Sequence, residues 1–289
     1  NQWELTRQCV NSLLLSRNIT VMPMLVDNGS ESETPDWVEK VPGMRFLRSG
    51  ENLGFGGGNN KAFSLFDDNE APWTLVLNND TTVTPDTLRI LVELLRERPS
   101  AGIATPAIFY ADRPDMVWSA GGNLSKLRMI FHQSMYPTRK SLPDQPKETG
   151  FASGCAIMMR TSLYRELCGF REDFFLYHED SHLCLRCLRM GKSILLQPRG
   201  EVFHHVSAAA GGSMSPISIY FTHRNRYLLA REELSPLELA VFTFYYLAVS
   251  CVKTFIYPVR KTGRSVPYLW KAVLDGLKGQ TGNTLKETD

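Results

Sequence analysis

Trp73-Thr74-Leu75-Val76-Leu77-Asn78-Asn79-Asp80 is a short, mostly apolar run that stops at two amides and a carboxylate. Five such residues bounded by turn formers read as a buried strand with a polar cluster at its carboxyl end. Upstream, the spacing of Leu5, Cys9, Val10, Leu13 and Leu14 predicts a helix over residues 3–17, followed by a strand over Val21–Val26 that ends in Asp27-Asn28-Gly29-Ser30. Arg45–Leu47 is a further short strand. The glycine-rich turn from Asn52 to Asn60 then runs into a helix over Lys61–Phe66. Downstream, Pro85 and Asp86 start a helix that continues through Leu95. Strands alternating with helices predict an α/β fold with an open, mostly parallel sheet flanked by helices. Ligands bind such sheets outside the carboxyl ends of the strands, here beside the clusters that follow Val26 and Leu77.

The stretch from Tyr110 to Gly150 is weakly periodic and rich in Pro, Gly and Ser, and is expected to be a long surface excursion. Pattern resumes with a strand at Ala156–Met159 and a helix from Ser162. Phe174-Phe175-Leu176-Tyr177 then leads into an acidic cluster and a helix over Ser181–Met190.

Composition narrows the class. The 289 residues suit one large α/β domain or two modest ones, and a net charge of +2 excludes a disordered chain and a nucleic-acid binder carried by bulk charge. The six cysteines (Cys9, Cys155, Cys168, Cys184, Cys187 and Cys251) are too sparse for a disulfide framework and point to a reducing compartment. Asn1–Arg7 has no apolar signal-peptide core. The longest uncharged apolar stretch, Leu239–Val252, has 14 residues, short of the ~18–20 of a spanning helix. From Lys253 onward seven basic residues face three acidic ones, so a +4 tail follows the most apolar stretch and leaves −2 for the remainder.

Several clusters could carry chemistry. Asn78-Asn79-Asp80 offers hard oxygen ligands of the kind Mg²⁺ or Mn²⁺ prefers, or is a polar turn. Gly54 to Gly58 lacks the third glycine of a dinucleotide fingerprint and the lysine of a P-loop, so it is a phosphate-approaching backbone or a simple turn. His178-Glu179-x-x-His182 matches the zinc-peptidase pattern, with Glu201 as a third ligand, although Asp180 intrudes and Leu185 takes the glycine slot. Glu179-Asp180 at a sheet mouth could instead accept a proton from a hydroxyl, or simply favour a helix N-terminus. Cys184 and Cys187 read as small hydrophobes, and His204-His205 as an imidazole ligand or a structural pair.

The order of these motifs adds what none has alone. Asp27-Asn28-Gly29-Ser30, Asn52 to Asn60, Asn78-Asn79-Asp80, Phe151-Ala152-Ser153-Gly154-Cys155, Gly169 to Arg186 and Val202-Phe203-His204-His205-Val206-Ser207 form a succession. It resembles the family-2 inverting glycosyltransferases of the GT-A fold, above all their rhamnosyltransferase-like branch, over residues 1–232. The resemblance implies a nucleotide-diphospho-sugar donor (dTDP- or UDP-linked), a saccharide or lipid-linked saccharide acceptor in surface polysaccharide synthesis, and a Mg²⁺ or Mn²⁺ cofactor. It implies donor contacts from Asp27, Asn28, Asn52, Gly54, Asn59, Asn78 and Asn79, and metal binding by Asp80 and His204. Asp180, paired with Glu179, matches the catalytic base, while Gly154, Arg224 and Asn225 match the acceptor side.

Three departures stand out: His182 replaces a usual Asp, Arg171 replaces another, and the chain begins after the position of the family's first, interior strand, which we expect to have been clipped. Residues 233–289 are expected to form a helical appendage that contacts a membrane surface, or that packs on the catalytic domain or across a homodimer interface. The expected location is cytoplasmic, peripheral on the inner face of the cell membrane. A nucleotide-sugar-binding protein without turnover and the zinc peptidase are the alternatives.

Overall fold

The computed structural model describes residues 2–66, 70–133, 136–206, 215–260 and 262–285. Asn1, Ser207, Lys261, Lys286, Glu287 and Asp289, all used above, lie outside them. The chain runs α1 (Trp3–Leu14), β1 (Met24–Asn28), β2 (Arg45–Ser49), α2 (Gly54–Phe63), β3 (Trp73–Leu77), β4 (Thr81–Val83), α3 (Thr87–Glu97) and β5 (Ala101–Tyr110). It continues through β6 (Val117–Ser119), β7 (Gly122–Ser125), β8 (Ile130–Gln133), β9 (Lys147–Thr149), β10 (Ala156–Arg160), α4 (Thr161–Glu166), α5 (Glu179–Arg189) and β11 (Ser193–His204). The helices α6 (Pro216–Glu233), α7 (Pro236–Val259) and α8 (Val266–Lys278) close it.

The main sheet has the order β3-β10-β5-β11-β4. Its parallel frame is β3, β5 and β11, with β10 and β4 reversed. The strand deduced at Trp73–Leu77 forms between those residues, and α3 buries Leu88, Leu91, Val92, Leu94 and Leu95 against the sheet. Because β10 and β4 run backwards, their first residues stand at the same edge as the last residues of β3 and β11. That edge therefore gathers Asn78–Asp80, Gly154–Cys155 and His204.

β1 and β2 pair with each other, parallel, and stand apart from the main sheet. An apolar cavity of about 830 Å³ separates β1 from β3, lined by Val21, Met24, Leu25, Trp73, Leu75 and Val92 among others. The interior strand implied by the resemblance has no counterpart among the described residues. This larger cavity reaches neither Asp80 nor Asp180.

Three expectations are corrected. The helix expected at Lys61–Phe66 lies instead at Gly54–Phe63, so the glycine-rich turn is itself helical. Its glycines are buried against other chain: a Cβ on Gly54, which has φ +74°, would lie 2.2 Å from the Phe175 carbonyl oxygen. Packing thus overrides the ~1 kcal/mol that each glycine costs a helix. The stretch expected to be an irregular excursion carries β6, β7, β8 and β9; β6 pairs with β5, and β9 with β11. The third correction is α7, a 24-residue helix with an 18-residue window of mean hydropathy 1.7, long and apolar enough to cross a membrane by length and composition. Ser235 and Glu238 form a reciprocal cap at its start, which extends the helix well beyond the uncharged run.

Candidate functional site

Asp27 is buried near the end of β1, directly opposite Arg48 of β2. Its Oδ1 accepts from Ser30 N at 3.0 Å, and its Oδ2, 3.3 Å from Arg48 Nε, makes no hydrogen bond among the described residues. Ion-paired with Arg48, that oxygen keeps acceptor capacity for one further N–H donor. The Asn28 and Asn52 side chains are committed elsewhere. Asn28 Nδ2 donates to Gly54 O (2.8 Å) and its Oδ1 accepts from Leu53 N (2.9 Å), while Asn52 Oδ1 accepts from Gly54 N (2.9 Å). They fix the entry of α2 rather than presenting amides to a ligand. Asn59 donates to Phe55 O and Asn79 to Thr6 Oγ1, both at 2.9 Å. A polar cavity of about 330 Å³ lies among these groups, lined by Asp27, Asn28, Gly54, Asn59, Asn78 and Asn79 with others. The donor residues deduced from the sequence, Asn52 apart, therefore do line one cavity, several of them through backbone.

Beyond β3, Asp80 is buried and its Oδ1 stands 3.2 Å from His204 Nε2, without hydrogen-bond geometry between them. The register that sets His204 opposite Thr81 produces this approach, and Trp118 packs edge-on against the imidazole. Neighbouring ligand atoms around an octahedral Mg²⁺-sized ion stand about 3 Å apart. A buried, orphaned carboxylate oxygen beside an imidazole nitrogen at that distance fits a divalent cation. Among the described residues no third His, Cys, Asp or Glu joins them. The remaining positions would be filled by oxygen ligands such as water, amide or backbone carbonyl oxygens, or those of a bound ligand.

The segment Ser153–Ala156 links this pair to the acidic cluster. Asn78 N donates to Cys155 O (3.0 Å), and Gly154 N donates to Asp180 Oδ2 (3.0 Å). Asp180 Oδ1 accepts from Ser181 N (2.6 Å) and Ser181 Oγ (3.3 Å). Burial raises Asp180 above the usual aspartate range, and the two backbone N–H groups oppose the rise. Burial and then the charge of Asp180 push Glu179 up to about 8, with its Oε2 orphaned. Both carboxyls are thereby pushed towards their protonated forms.

This has a consequence for stability. A carboxyl whose pKa rises on folding stabilises the fold below its unfolded pKa, and that contribution is lost as pH rises through the folded value. Glu179→Gln, which keeps the neutral form at every pH, will match the native protein in melting temperature near pH 4 and exceed it by a growing margin towards pH 8. The margin is about 2–4 °C for each kcal/mol relieved. A melting-temperature series across that range checks it; a constant difference would contradict it.

The loop before Glu179 has an unusual backbone. Phe175 (φ 64°), Tyr177 (φ 68°) and His178 (φ 70°) are all left-handed, and Leu176 N donates to Phe174 O across a γ-turn. Asn225 Nδ2 donates to the carbonyls of Phe174, Leu176 and Tyr177, each at 2.8 Å, and Arg224 Nη2 donates to Phe174 O at 3.0 Å. Both side chains are fully buried. Gly154, Arg224 and Asn225 were expected on the acceptor side; instead they hold the base and its loop in place, from beneath. Asn60 was not singled out in the sequence. It ties Phe170 N and O, Tyr164 Oη and Glu172 into one knot under α2.

The zinc arrangement does not form. The buried His178 ring faces the Thr222 backbone, whereas His182 Nε2 lies 3.2 Å from Glu232 Oε2. These partners are ten residues, about 15 Å, apart along α6. The two departures from the family pattern are explained by the same contact: Glu232 receives both His182 and Arg171. Cys184 and Cys187 pack in the core, and all six cysteines are free.

Residues 1–168 match the model of the family described as Glycosyl transferase family 2. The chain belongs to that family. It is a glycosyltransferase of rhamnosyltransferase-like type with a GT-A fold. It is 28% identical over 221 residues to N-acetylglucosaminyl-diphospho-decaprenol L-rhamnosyltransferase of Mycobacterium tuberculosis, covering 69% of this chain and 71% of that one. It is 23% identical over 269 residues to the dTDP-rhamnosyl transferase RfbF of Shigella flexneri, covering 90% and 87%. Among solved structures it resembles GalNAc-T7 with UDP, GalNAc and Mn²⁺, at TM-score 0.61 and 15% identity; the match covers 94% of this chain and 52% of that one.

Proposed function

We propose that the glycosyltransferase is metal-dependent and inverting, and that it moves rhamnose from a dTDP-sugar to a lipid-linked saccharide acceptor. The observation that carries this is the Asp80–His204 pair at the sheet edge, tied through Gly154 and Cys155 to Asp180 and adjoining the polar cavity that Asp27, Asn78 and Asn79 line. The relatives named for L-rhamnosyl and dTDP-rhamnosyl transfer support rhamnose and dTDP, and the one named for a diphospho-decaprenol saccharide supports a lipid-linked acceptor.

Asp80 and His204 would hold the cation, which supplies Lewis-acid compensation for the charge of the departing diphosphate. Asp27, ion-paired with Arg48, orients the pyrimidine through Oδ2. Asp180 takes the proton of the acceptor hydroxyl as that oxygen forms its bond to the anomeric carbon. The bond from that carbon to the diphosphate breaks on the opposite face, and its electron pair leaves with the phosphate. One displacement inverts the centre, and no covalent sugar–protein bond forms. The test is thermal stabilisation by a panel of nucleotide sugars with and without Mn²⁺. dTDP-rhamnose with Mn²⁺ should give the largest shift; equal shifts without the metal, or none from any dTDP-sugar, would overturn the proposal.

A further inference from the structure

α7 packs along α6 and α8 through Phe242, Tyr246, Ser250 and Tyr257, and leaves the opposite side bare. Leu237 (77%), Phe244 (78%), Phe255 (76%) and Val259 (84%) are among the most exposed apolar side chains, with Val241 and Val252 between them. At 100° per residue these six fall within one stripe about 80° wide and about 33 Å long. Of the exposed positions on α7 only Glu238 is charged, and it is held by the helix cap. A stripe of that size on a water-facing helix costs solvation free energy unless something covers it.

A second element joins α7 at its start. The tip of the β7–β8 hairpin, Lys126-Leu127-Arg128, is exposed, with Leu127 58% accessible between two cations. It is fastened to the helices by Met129, buried in their core, and by Arg226 Nε donating to Arg128 O. Met129 shares its apolar cluster with Leu239 and Phe242, which places the tip beside the first turns of α7. At the other end Arg260 and Arg264 are exposed. The apolar stripe is therefore bracketed by cations at both ends, while the nearby Glu232 and Glu233 are already paired with Arg171 and Arg189.

This charge pattern chooses between occupants. Two copies packed along α7, in either direction, would set cationic ends against cationic ends. Anionic lipid headgroups complement both ends while acyl chains cover the stripe. We infer that α7 lies in the plane of an anionic phospholipid bilayer, with the Lys126-Leu127-Arg128 tip as a second contact. The inference rests on the lipid-linked acceptor proposed above for its use, though not for its physics. Tyr246 of α7 donates to His223 O, and Asn225, two residues on, holds the loop of the base, so α7 and that loop are both fastened to α6.

The full chain should sediment with vesicles of equal parts phosphatidylcholine and phosphatidylglycerol, and more weakly with phosphatidylcholine alone. Phe244→Glu with Phe255→Glu should lower partitioning by roughly tenfold or more. Lys126→Ala with Arg128→Ala should weaken binding to the anionic vesicles while leaving binding to the neutral ones in place. Stabilisation by dTDP-rhamnose should persist in each variant, so loss of docking is separable from failure of the donor assignment. Absence of vesicle binding, or a dimer in analytical ultracentrifugation that Phe244→Glu splits, would overturn the inference.

Discussion

Asp180→Asn lowers sugar transfer by about 10²- to 10⁴-fold, the usual range for removal of a positioned general base. Donor affinity should stay as it is, because the base meets the acceptor hydroxyl and not the nucleotide. The argument is geometric before it is electrostatic. Asp180 accepts from Gly154 N at one oxygen and from Ser181 at the other, which fixes the plane of its carboxylate. Asparagine fits the same space and keeps one acceptor oxygen, so the fold survives while the proton has nowhere to go. The rate of the unmodified enzyme should fall as pH drops through the raised pKa of Asp180, since only the ionised form accepts a proton. Single-turnover transfer together with nucleotide titration checks both parts; full transfer in Asp180→Asn would refute the role of the base.

Asp80→Ala is expected to cost on the order of 10²–10³ in transfer, the equivalent of a few kcal/mol of charge compensation. Its signature differs from that of Asp180→Asn, because the donor itself is affected. Asp80 Oδ1 is buried without a hydrogen bond beside His204, and no third His, Cys, Asp or Glu joins the pair among the described residues. Removing one of these two ligands should abolish the extra stabilisation that Mn²⁺ gives to the protein–nucleotide-sugar complex. Stabilisation by the nucleoside portion, held at Asp27, should remain. A Mn²⁺ effect that persists in Asp80→Ala would place the cation elsewhere.

What the sequence disclosed depended on how local the cause was. Trp73–Leu77 forms its strand because a short apolar run has little else to do, and the polar residues behind it mark the ligand edge directly. β5, fully buried at the centre of the sheet, escaped notice because Pro106 sits within Ala101-Gly102-Ile103-Ala104-Thr105, Ala107 and beyond, and proline argues against a central strand. The neighbouring strand answers it: β11 shifts register between Gln197, opposite Pro106, and Glu201. That accommodation exists only once the two strands have met. Arg48 pairs with Asp27 through the register of β2, and Asn225 meets Leu176 across 49 positions, so neither role had a local signature. The motif order identified Arg224 and Asn225 as relevant and misjudged what they touch, because burial is a property of the packed helices.

The left-handed residues before the base set stability against purpose. In this backbone region Gly costs nothing, and an ordinary L-residue costs roughly 1–2 kcal/mol. A chain selected for robustness alone would carry Gly or Asn at positions 175, 177 and 178. It carries Phe175 packed on Phe221, Tyr177 bonded to Ser218, and His178 buried against the Thr222 backbone. The side chains that tie the loop to α6 are thus the ones its backbone tolerates least. Glycine there would relax the turn and also release it, so the easiest gains in thermal robustness at this loop are the ones that would leave Asp180 without a fixed direction.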